Sequence, residues 1–196
     1  MTRYTTTRGR LLLVLAAVLM WPATGLARTP DRDTVELVLS SHERIPSRSE
    51  LLRLGPGVEA VLHRIVEHPS RRALARNRAL TVLRQFPSKA TRALLARQIQ
   101  RTRRHTRPGV ELLDLQQAVT SYAVVAGAKA LPVCRALLSH PQPDVRTAAA
   151  TAVRRTRSPK AANVLDKRLQ IEPSAMVRAE LRQQLRVLRR PPERPR

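Results

Sequence analysis

The stretch Pro141-Gln142-Pro143-Asp144-Val145-Arg146, with the alanine-rich run behind it, constrains the fold more than any other feature. Two prolines stop the preceding segment, and Asp144 is expected to cap a new helix through its side-chain oxygen. Val145, Ala148, Ala149, Ala152 and Val153 then recur at helical spacing. They form one apolar stripe of small residues, which lets a neighbouring helix approach closely. Arg146, Arg154 and Arg155 fall off that stripe and are expected to face water.

The same phrase returns. Val177-Arg178 with Leu181 and Leu185 repeats Val145-Arg146 with Ala149 and Val153 after 32 residues. Leu115-Gln116 with Val119 and Ala123, and Ala75-Arg76 with Ala79 and Leu83, echo it upstream. Pro69, Pro108, Pro141 and Pro173 keep the rhythm at 39, 33 and 32 residues, and Lys89-Ala90, Lys129-Ala130 and Lys160-Ala161 open a second helix in each unit. A period in the thirties with two helices per unit resembles the HEAT-like repeats, in particular the short variety first noted in phycobilisome lyases. Asp-Val-Arg-x-x-Ala-Ala at 144–150 is the closest local match. The resemblance covers 70–189 best. It implies an all-α fold, an α-solenoid of about four stacked helix pairs plus a C-terminal capping helix, with extended surfaces for a partner. In that family an acid ahead of the Val-Arg often ties successive repeats. Only Asp144 stands in that place, so no regular ladder of such ties is expected.

Residues 1–27 read as a secretory leader: Arg3, Arg8 and Arg10, an apolar run over 11–21, then Gly25-Leu26-Ala27 for cleavage after Ala27. A run of 11 residues is too short to span a bilayer, which takes about 20. Residues 28–33 read as a linker, 34–190 as the repeat domain and 191–196 as a disordered basic tail. A first, degenerate repeat occupies 34–68, with a capping box at Ser47 and Glu50. The expected pairs are 71–86 with 88–101, 110–126 with 128–140, and 144–155 with 159–170, followed by a helix over 174–190. Leu74, Ala90, Ala93 and Val124 are placed among the inward residues, and Ser158-Pro159 is read as a helix start.

No catalytic, metal or cofactor signature emerges. Cys134 is the single cysteine and reads as a buried small hydrophobe. The five histidines do not cluster, and His63 with Glu67 reads as a surface pair. Charge is the remaining clue: 37 basic residues against 14 acidic give a net charge of +23. One reading is coding bias that decorates solvent faces with arginine. The other is a basic binding surface at Arg101, Arg103, Arg104 and Arg107 in one loop, and at Arg178, Arg182, Arg186, Arg189 and Arg190 on the last helix. Nucleic acid is disfavoured, because beyond the leader only Phe86 and Tyr122 are aromatic and both fall on apolar faces. The expectation is a non-enzymatic scaffold, exported to the periplasm or beyond, that binds an acidic protein. The alternatives are a module for a polyanion (an envelope polymer, anionic lipid or nucleic acid) and a lyase-like enzyme or maturation factor.

Overall fold

The computed structural model describes residues 29–40, 44–68, 73–104 and 108–190; the expected leader, its cleavage point and the tail lie outside them. The helices are α1 (Arg32–Ser40), α2 (Arg48–Arg53), α3 (Val58–Glu67), α4 (Ala73–Val82), α5 (Lys89–Thr102), α6 (Val110–Ala126), α7 (Leu131–Leu137), α8 (Pro143–Arg155), α9 (Ala161–Ile171) and α10 (Ala175–Arg189). Single 3-10 turns, Leu83–Gln85 and Gly127–Ala130, follow α4 and precede α7. No strand occurs among the described residues.

Helices α1, α4, α6, α8 and α10 pack in series, and α3, α5, α7 and α9 pack against that row. Small residues make the row. Ala75, Ala79, Ala118, Ala123, Ala149, Ala150 and Ala152 have no solvent exposure, so the backbones of adjacent helices lie close. Leucines fill the space beneath, including Leu62, Leu80, Leu83, Leu94, Leu95, Leu115 and Leu165. Helix α6 lies mid-row, between α4 and α8, with α5 against it.

Local chemistry sets the helix starts. Ser47 and Glu50 make the reciprocal capping box of α2. Ser88 and Ser174 each accept a backbone N–H at the start of α5 and α10. Gly57 begins α3 at φ 78°, a left-handed conformation that costs a larger residue on the order of 1 kcal/mol. Two starts differ from expectation. Gln142, not Asp144, is the N-cap of α8, and Asp144 sits exposed in the first turn, where its charge suits the helix dipole. Helix α9 begins at Ala161, because Ser158-Pro159 forms a turn closed by the Lys160 N–H on Ser158 Oγ.

Several inward assignments also change. Leu74, Ala90, Ala93 and Val124 are exposed. On α5, Thr91, Leu95 and Gln98 join Leu94 and Ile99 inside, because the leucines fix the helix phase; Thr91 meets Glu59 and His63, whereas the Gln98 amide is buried without a hydrogen-bond partner. His63 does not pair with Glu67. It is half-buried, with Nε2 2.7 Å from Thr91 Oγ1 and 3.7 Å from Glu59, while Glu67 takes Arg97 at 2.8 Å. This cluster ties α3 to α5. Cys134 is buried on α7, and burial pushes its thiol up to about 12.

The largest departure is Arg146, expected in water and only 6% exposed. Its Nε and Nη2 donate to the two oxygens of Glu172 at 3.0 and 2.7 Å, and its Nη1 donates to the carbonyls of His140 and Pro141, each at 2.9 Å. Arg168 and the Ser174 N–H also donate to Glu172. Every hydrogen-bonding edge of this buried pair is therefore met, the condition for a buried ion pair to be tolerated. A second tie is poorer. Arg76 Nε lies 3.1 Å from Asp114, which has no solvent exposure, yet neither Asp114 oxygen receives an aligned hydrogen bond. Burial raises the Asp114 pKa, with Arg76 and Asn77 pulling it back.

Burial also pushes the Glu172 carboxyl up, but hydrogen bonds from Arg146, Ser174 and Arg168 outweigh it, and its pKa falls from 4.5 to about 2. The unfolded chain therefore binds the extra proton between those values. The clamp's contribution is complete above the unfolded pKa and disappears as pH drops through the folded one. Glu172→Gln is expected to cost about 3 kcal/mol near neutral pH and to flatten the acid limb of stability below about pH 5. Urea titrations of both proteins across that range check this, and parallel acid limbs would refute it.

Candidate functional site

The arginines named from sequence do not converge. Arg101, Arg103 and Arg104 are exposed at the end of α5, and Arg107 lies outside the described residues. On α10, Arg182, Arg186, Arg189 and Arg190 are exposed, but Arg178 is half-buried and turned back toward its own loop. Its Nη1 donates to the Glu172 and Pro173 carbonyls. Arg189 pairs with Asp166 at 2.5 Å, and Arg186 donates to Gln183 at 2.7 Å.

A different set does converge. The first-row helices α4 and α8 end on either side of the end of α6. The 3-10 turn after α4 carries Arg84, and the last turn of α8 carries Arg154 and Arg155. These three, with Arg157, line a cleft of about 720 Å³ floored by Val124 and the Gly127 turn. Arg84 and Arg155 also border a neighbouring groove of about 390 Å³ that contains Leu74, Arg78 and Gln117. Among the described residues, no Asp or Glu lines either space.

The supporting network explains why the arginines stand there. Thr151 and Gln184 both donate to Glu180 at 2.7 Å, and Gln184 accepts Arg154 Nε, which fixes Arg154 against α10. Arg84 and Arg155 make no hydrogen bond or ion pair among the described residues. Burial, then the charges of Arg84 and Arg154, lowers the Arg155 pKa. The guanidinium stays protonated, so like charges are held together with no carboxylate between them. Helix C-termini favour cations, which accounts for part of the placement. They do not account for a shared cleft.

Arg157 shows a backbone cost at the same place. Buried Thr156 closes α8, donating its hydroxyl to the Val153 carbonyl at 2.7 Å and accepting the Ser158 N–H at 3.2 Å. The next residue then turns left-handed, and Arg157 has φ 52°. Glycine is the usual occupant of that position after a helix. An arginine there keeps a charge at the cleft rim against backbone preference. Sequence reading missed this cluster because Arg84 and Arg155 are far apart in the chain. The available signal was Arg154-Arg155 beside Arg157 at a helix end.

Chemically, the converged guanidiniums offer several charged donors suited to an anionic group. Thr91 and His63 touch, but Thr91 has no solvent exposure. No group of His, Cys, Asp and Glu suited to a metal occurs among the described residues.

Comparison with known proteins agrees with the repeat architecture. The family model of HEAT repeats matches residues 115–186, from within α6 to within α10. That match supports a HEAT-like repeat chain over the better-patterned part of the row. Neither a curated protein nor a solved structure matches the chain.

Arg157→Gly is expected to raise unfolding stability by roughly 0.5–1 kcal/mol, since relief of the left-handed strain exceeds glycine's entropy in the unfolded chain. Chemical denaturation measures it, and a loss of stability would mean that the Arg157 side chain makes a structural contribution of its own.

Proposed function

We propose that this chain is a non-enzymatic α-solenoid scaffold acting outside the cytoplasm, which holds an acidic protein against the arginine-lined side of its first helix row. HEAT repeats generally serve as protein-interaction scaffolds, and stacked helix pairs offer long surfaces for that purpose. One observation carries the choice of partner: Arg84, Arg154 and Arg155 meet around a cleft that no carboxylate among the described residues lines. The export reading rests on the leader-like residues 1–27. No described helix is long and apolar enough to cross a membrane.

A protein suits this face better than a bare polymer. Leu74, 40% exposed, and Val124, 43% exposed, lie in the same two grooves as the arginines. Apolar surface mixed with arginine is typical of protein interfaces. A polyanion would neutralise the arginines and leave the apolar surface wet. Base stacking has little to work with, because Phe86 is 5% exposed and already carries Arg48 over its ring at 5.6 Å.

The test is affinity capture from envelope extract with residues 28–196, eluted by rising salt. The unaltered chain is expected to retain one acidic protein. Arg84→Ala with Arg155→Ala should weaken that retention by about tenfold or more, a typical loss for charged interface groups. Removing Arg101, Arg103 and Arg104 together should change it little. Release of a broad anionic mixture at low salt, with no dependence on Arg84 and Arg155, would assign the charge to polyanion binding and refute a specific scaffold.

A further inference from the structure

Two arginines 32 residues apart hold the backbone in the same way. Arg146 Nη1 donates to the carbonyls of His140 and Pro141, six and five residues earlier. Arg178 Nη1 donates to the carbonyls of Glu172 and Pro173, also six and five residues earlier, at 3.0 and 2.7 Å. Each guanidinium is thereby fixed relative to its own helix.

The opposite edges differ. Arg146 offers Nε and Nη2 to Glu172, the carboxylate on the loop that leads into the next first-row helix, α10. The same edge of Arg178 meets no acceptor among the described residues. One more turn of the repeat would place a carboxylate there, just ahead of a helix packed on α10. The helices that pack extensively on α10 are α8 and α9, and none of the described elements continues the row beyond it. The surface nearby is not a plain solvated face. A groove of about 620 Å³ between α9 and α10 has Leu169, Ala179 and Leu185 as its floor and Arg182, Arg186 and Arg190 on its rim, with Asp166 also lining it but already paired with Arg189.

We propose that the α10 side is a docking surface for a helix of an acidic protein partner, and that a glutamate or aspartate just ahead of that helix closes the open edge of Arg178. This deepens the acidic-partner reading and rests on it, but not on the cleft at Arg84 and Arg155. The partner takes the place of the next repeat. The Arg146–Glu172 pair supplies the template for the contact, a two-bond fork on a carboxylate. Arg178 is already held by two backbone carbonyls, so little side-chain freedom is lost when the fork closes. The rim arginines select an acidic helix, and the apolar floor receives its stripe.

The probe is a synthetic peptide of residues 172–189 of this chain, in which Arg178, Arg182, Arg186 and Arg189 are replaced by glutamate. It keeps the Glu172-Pro173-Ser174 lead and the Val177, Leu181 and Leu185 stripe. Binding is read by fluorescence anisotropy with the whole chain. Glu172→Gln in the peptide is expected to weaken binding about tenfold, and Arg178→Gln in the protein by a similar factor. The two changes together should cost no more than either alone. Absence of binding, or losses that multiply independently, overturns the proposal. Arg178→Gln also removes the bonds to the loop carbonyls. Should that variant fail to fold, the peptide substitution decides the matter against the unaltered chain, and no loss there sinks the idea. Self-association of the chain alone, abolished by Arg178→Gln, would assign the surface to a second copy and equally overturn it. Failure on any of these counts leaves the reading at Arg84 and Arg155 standing, because that capture uses neither the peptide nor Arg178.

Discussion

The Arg146–Glu172 clamp holds two successive repeats in register. Arg146 belongs to the start of α8, Glu172 to the loop before α10, and the carbonyls of His140 and Pro141 to the loop before α8. One side chain therefore fixes where a helix begins and where the next one lies. A buried ion pair rarely adds much net stability over a well-packed apolar substitute. Its value is geometric, since a fork with two acceptors on each side permits one arrangement. The alanine contacts between α8 and α10 need that help. Small residues let helices approach but specify rotation and shift poorly, because they offer few ridges to interlock.

Much of the architecture was legible from residues alone. The helix over 110–126, the capping box at Ser47 and Glu50, the serine starts at 88 and 174, and the alanine stripe of α8 all follow from local propensity and period. These are short-range effects, and a sequence displays them directly. The exchanges came where a tertiary partner overrode a local preference. Arg146 looks solvated on a helical wheel, and only Glu172, 26 residues later, makes its burial tolerable. Asp144 looks like a cap, yet the cap is Gln142, two residues earlier, and the helix starts at Pro143. Ala90 and Ala93 look internal because alanine is weakly apolar, and the larger Leu94, Leu95 and Ile99 decide which face turns inward.

The candidate surface was harder to read for a related reason. Arginine is so frequent here that runs of it carry little information. Adjacent arginines in one loop, such as Arg103 and Arg104, spread into solvent, whereas Arg84 and Arg155 meet only because α4, α6 and α8 lie side by side. The informative feature is convergence with no acid among the described residues, and that is a property of the packing.

The separation of Arg84 and Arg155 is set by something that carries no charge. They reach toward each other across the end of α6, so the spacing of the segments that carry them is set by how closely α4 and α8 pack on α6, along seams of small buried alanines. Those seams act as a ruler. A methylene or two added at Ala118, Ala123 or Ala149 would widen the spacing of the surface charges without altering any of them. The spacing of these surface charges is thus written partly in the interior. Two chains with identical arginines and slightly different alanine seams would present different charge spacings, and a comparison confined to the surface would find no reason why.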